Sequence, residues 1–181
     1  MIAVDDSPYR FPHSADSALD GLDISVDVRS MQIITGVLMM GVVVFMLITL
    51  VMNKGAFGTE PDILFFAGAI FAASAFLAHL IVPMVMRRQQ VAQIDQTELR
   101  DGDAATRLKL LLPVYRGTHM VACAFLEGSA FFNLVGYMTE QFAGSLAIAA
   151  FLLLCIAFRF PNEDRIRMWV RRVAEEASLT T

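Results

Sequence analysis

In the stretch CAFLEGSAFFNLVG, residues 123–136, one carboxylic acid, Glu127, stands among apolar neighbours. Its depth follows from helix geometry. Glu127 lies roughly 16 Å beyond Arg116 along a helix, near the middle of a bilayer, and His79 lies about 12 Å before Arg87 at 1.5 Å per residue. The two sit at comparable depths, so a Glu127–His79 pair is one expectation. A lone carboxyl there would be neutral, because a central charge costs about 2.5–3.5 kcal/mol. His119, Cys123 and Glu127 recur every four positions, which puts them on one helical stripe. Three chemistries are open to these residues. Glu127 and His79 can join helices as polar contacts; Glu127 can carry an ion or proton as a titrating carboxyl; or His79, His119 and Cys123 can ligate a metal or haem, since their types suit it. Asn133 is a further polar group on the same stretch.

The elements that must position these residues are set by the apolar blocks. The 181-residue chain is 56% hydrophobic and 18% charged, with mean hydropathy +0.58. Crossing roughly 30 Å of hydrocarbon takes about 20 apolar residues in a helix. Residues 31–52, 63–86, 117–138 and 143–160 meet that length. None alternates as a spanning strand would, and an open sheet edge cannot face lipid. The expected fold is all-α: a polytopic four-transmembrane-helix bundle over residues 31–160 with cytoplasmic amphipathic segments.

Charge orients the bundle. Thirteen of the fourteen Lys/Arg residues fall before helix one, in the 87–116 loop, or from Arg159 onward; Lys54 alone lies elsewhere. By the positive-inside bias, the chain is a multi-pass protein of the cytoplasmic (inner) membrane with both termini in the cytoplasm. The first 30 residues, with six aspartates and two arginines, do not resemble a cleavable signal peptide. They read as an acidic, mostly disordered tail.

Small residues should mark where helices touch, because lipid offers no hydrophobic drive for association. Gly68, Ala72, Ala75 and His79 form one such stripe in helix two. Ala143, Ala147, Ala150 and Ala157 form one in helix four, and Ala124 with Gly128 one in helix three. In the middle loop, DGD breaks the chain and Asp103 can cap a helix running into helix three, kinked near Pro113. Residues 161–181 form a basic amphipathic helix capped by Asn162. Its apolar stripe is Ile166, Trp169, Val170, Val173 and Ala177, and its other face carries Arg165, Arg167, Arg171 and Arg172. That helix suits either the membrane surface or docking on the protein's own middle loop. Cys123 and Cys155 lie inside spans and read as small apolar fillers.

AFLEGSAFFNLV resembles the ion-carrying helix of rotary ATP synthase proteolipid subunits, which would make Glu127 the ion-carrying carboxylate. Those proteins pair that helix with a very glycine-rich one, whereas helix one here reads IITGVLMMGVVVFM. The chain as a whole resembles uncharacterised bacterial four-helix inner-membrane proteins with an LEGxAFFNL core, a resemblance that implies no activity. No G-x-G-x-x-G, P-loop, H-E-x-x-H or paired CxxC occurs. The expectation is therefore a non-enzymatic structural or accessory subunit without a cofactor. Its partners would be the lipid bilayer and other membrane subunits or further copies of itself. Nucleic acid is not expected, since membrane topology accounts for the basic residues.

Overall fold

The computed structural model describes residues 21–58 and 60–179, with side chains to 176. The expected disorder of residues 1–20 lies outside them. Six helices follow one another: α1 (Ser25–Met52), α2 (Ile63–Gln93), α3 (Gln96–Asp101), α4 (Ala104–Glu140), α5 (Ala143–Phe158) and α6 (Glu163–Leu179). Among the described residues there is no strand, only an isolated bridge between Gly58 and Phe142. Three helices, α1, α2 and α4, are long and apolar enough to cross a membrane. The fourth expected span, α5, qualifies only when joined to the segment that bends away from it by 73°.

Local chemistry places the breaks. Asp62 accepts from the Ile63 N–H at 2.7 Å to open α2. Asp103 accepts from the Thr106 N–H at 2.8 Å, as its spacing from the DGD break predicts. Asn162 accepts from the Arg165 N–H at 2.8 Å and opens α6. Gln141, in the left-handed region at φ 56°, closes α4. After α1 the chain turns through Lys54 and Gly55, at φ 52° and 67°.

Helices outrun their apolar blocks. α4 has 37 residues, or about 55 Å of helix, well beyond a bilayer's roughly 30 Å of hydrocarbon. It stays helical through Pro113. Most of the expected 87–116 loop is therefore helix: the end of α2, all of α3 and the first turns of α4. The end of the acidic tail is also helical, since α1 begins at Ser25.

Two cores result. The first lies within the bundle and includes Val42, Ala72, Cys123, Leu126, Ala130, Leu134, Ala149, Leu152 and Ile156. α4 is its hub, packed against α1, α2 and α5. Half of its most apolar window is buried, against 17% in α1 and 22% in α2. The outward faces of α1 and α2 remain apolar, with Val37, Val44, Ile70 and Leu77 exposed. Such faces suit lipid better than water. The second core caps the end away from the α1–α2 turn, joining Ile24, Val28 and Met31 to Leu99, Leu108 and Leu111, and to Ile166, Val170 and Val173. So the α6 stripe docks on the protein itself; Ala177 lies beyond the described side chains. Arg165 and Arg172 stay exposed, while Arg167 and Arg171 are partly buried.

The small-residue stripes fare unequally. Gly68, Ala72, Ala75 and His79 are all buried, with Pro83 continuing the row. In α5 the buried row is instead Ser145, Ala149, Leu152 and Ile156, and Ala143 and Ala147 are exposed. In α4, Ala124 and Gly128 are exposed while Ala122, Cys123, Ser129 and Ala130 are buried. Alanine is common on both faces of these two helices, so it does not mark which face packs.

Candidate functional site

The polar residues of the bundle fall on different edges of α4. Glu127 is half-buried on the edge facing α1: a Cβ added at Gly41 would lie 3.8 Å from its Oε1 and 3.6 Å from the Phe131 ring. Gly41 of α1 thus lies in packing range of the acid. No hydrogen bond or ion pair joins the Glu127 carboxyl to any described residue. Below it, Val37, Met40, Val44, Ile48 and Phe131 line an apolar groove of about 470 Å³.

The expected Glu127–His79 pair does not form. His79 is buried on the packed row of α2 and its Nδ1 donates to the carbonyl of Phe76 in its own helix. Glu127 looks toward α1 instead, so similar depth does not bring the two together. His119 is buried and its Nε2 lies 3.0 Å from the Thr35 hydroxyl of α1. The same nitrogen is 3.7 Å from the Cys123 sulfur. Thr35, His119 and Cys123 thereby form a polar tie between α1 and α4, and Glu127 has no hydrogen bond to it. No group of three His, Cys, Asp or Glu residues among the described ones is arranged to hold a metal ion.

Asn133 faces the other way, toward α2. Its amide donates to the Gly68 carbonyl at 3.2 Å and to the Ser129 carbonyl at 2.9 Å.

Two polar contacts have no signal in sequence spacing. The Glu140 carboxylate accepts from the Leu64 N–H at 2.7 Å and the Phe65 N–H at 3.0 Å, capping α2 from the end of α4. An acid suits the positive end of that helix dipole. Tyr137 donates its hydroxyl to the Ala56 carbonyl at 3.0 Å, and Asn53 donates to the Tyr137 carbonyl at 2.9 Å. The only hints were the acid in TEQF and the absence of one in the first turn of α2.

Comparison with protein-family models, with curated proteins and with solved structures finds no match. What the residues can do must be argued from their arrangement.

Proposed function

We propose that this chain is a non-enzymatic structural or accessory subunit of a larger complex in the cytoplasmic membrane, with both termini cytoplasmic. One observation carries the reading: Glu127, half-buried on the α1 edge of α4, has no polar partner among the described residues. A carboxyl at that depth gains most from a donor on a neighbouring helix. His79, the nearest intramolecular candidate by depth, is already engaged. The donor then comes from another subunit laid against the α1–α4 edge, where the apolar groove gives it room. The lysine and arginine distribution supports the orientation.

The test is to solubilise membranes gently and compare the complex carried by wild-type, E127Q and E127L chains. E127Q, which keeps a polar group of the same size, retains the partner. E127L loses it while the bundle's own Tm is unchanged, because no internal contact is removed. An E127L complex of wild-type size and composition overturns the reading.

The same unpartnered carboxyl favours a second reading, a small ion or proton transporter element titrating at Glu127. There, E127Q abolishes ion-dependent function with the complex intact, because an amide cannot release a proton.

A further inference from the structure

The break between α5 and α6 opens a second feature, unconnected with Glu127. A cleft of about 440 Å³ lies between α2, α4 and α6, lined by Arg87, Arg159, Arg165, Tyr115 and Trp169. The three guanidinium groups come from separate places in the chain: the polar end of α2, the C-cap of α5 and the first turn of α6. Arg87 is partly offset by Glu176, 3.5 Å away. Arg165 donates to the Phe158 carbonyl at 2.7 Å, which folds it back over the break. The Arg159 guanidinium makes no hydrogen bond or ion pair to any described residue. Three like charges around one cleft repel unless an anion sits among them, and guanidinium is the side chain best matched to phosphate.

The rest of the lining says what carries that anion. Thr118 and His119 line it too, and so do Leu80, Pro83 and Met84, of which Leu80 and Met84 are 50% and 51% exposed. They continue along α2 into the exposed Leu77 and Ile81, so the cleft runs without interruption onto the apolar outer face. Tyr115 and Trp169 meet edge to face at 5.2 Å beside the arginines, the kind of residues that gather at headgroup level. A soluble anion has no use for that apolar exit, whereas a lipid with a phosphate head needs both halves. Basic pockets between helices on the cytoplasmic side are suited to such heads.

We propose that this cleft binds one anionic phospholipid, its phosphate held by Arg159 with Arg87 and Arg165, and its acyl chains laid along Leu80 and Met84. The proposal rests on membrane insertion and not on the role of Glu127.

The test counts lipids bound to the full chain, purified in mild detergent, by native mass spectrometry. Phosphatidylglycerol or phosphatidylcholine is titrated in, and inorganic phosphate is added in a separate arm. One phosphatidylglycerol per chain binds saturably, and phosphatidylcholine binds more weakly. R159Q weakens phosphatidylglycerol about fivefold, the worth of one arginine near an anionic surface. R159K falls between, and R172Q, at an exposed residue outside the cleft, matches wild type. R165Q gives an independent reading should R159Q lower Tm. Equal retention of the two lipids, or indifference to both R159Q and R165Q, overturns the proposal. Millimolar phosphate that displaces the lipid and raises Tm by itself also overturns it, in favour of a soluble anion.

Discussion

The Asn133 amide of α4 donates to the Gly68 carbonyl of α2 at 3.2 Å, and a Cβ at Gly68 would stand 2.7 Å from Asn133 Oδ1. The hydrogen bond and the glycine are thus one device: the backbones approach closely because residue 68 has no side chain, and the approach brings the amide into range.

Gly68→Ala is therefore expected to destabilise the bundle by about 1–3 kcal/mol, the usual cost of overpacking. Asn133→Ala alone should cost about 0.6 kcal/mol and at most about 1.7, as interhelical hydrogen bonds in membranes do. The double variant G68A/N133A should be more stable than the sum of the two predicts. Thermal unfolding in detergent measures all three, and strict additivity would refute the coupling.

The Glu140 cap makes the second prediction. Glu140→Ala leaves the Leu64 N–H unpaired and the Phe65 N–H with only the Asp62 carbonyl at 3.1 Å, and should cost about 0.5–2 kcal/mol, the range for lost N-caps. Glu140→Gln keeps an acceptor and should cost less. Because the cap joins α4 to α2, hydrogen exchange at Leu64 should rise in the alanine variant, with a smaller rise at Phe65, while the far end of α2 is unaffected.

How much of this was legible beforehand differs by element. The α2 row could be read because Gly68 and His79 mark one face along with Ala72 and Ala75; alanine alone does not, since Ala67 and Ala73 are exposed. The 87–116 segment misled because Arg87 and Arg88 mark where an apolar block ends, not where a helix's hydrogen bonds stop; α2 runs on to Gln93. Asp103 was visible because a cap acts on residues three positions away. Glu140 was not, because it accepts from an amide 76 residues earlier in the chain. Comparable depth for Glu127 and His79 was not enough, since pairing also depends on which way each helix is turned.

Asp103 supplies a pH prediction. Hydrogen bonds from Thr106 hold its carboxyl below the usual value of 3.8. With the folded-state pKa lowered, the cap's contribution is present above the unfolded value and fades as pH falls through the folded one. Protection of the Thr106 amide should therefore drop only below about pH 4. D103A should lack protection at every pH, and D103N should keep part of it without the pH step. A wild-type amide whose protection does not change down to pH 2 would remove the carboxylate from the cap.

Orientation is open to direct labelling. Cysteines placed at the exposed Glu60 and Asp101 lie at opposite ends of α2. A membrane-impermeant thiol reagent applied to intact cells should modify E60C and spare D101C, and permeabilisation should expose D101C. Labelling of D101C in intact cells would invert the topology.

The cap core has a consequence for the order in which the protein is made. Ile24, Val28 and Met31 leave the ribosome well before the residues that cover them, which include Ile166, Val170 and Val173. Until α6 has been synthesised, the start of α1 and the face of Leu108 and Leu111 are incompletely covered. The cap therefore closes only after the residues of the other described helices have been made. A ribosome stalled before α6 would hold a nascent chain whose other helices are made but whose cap is open, and a protease would find it.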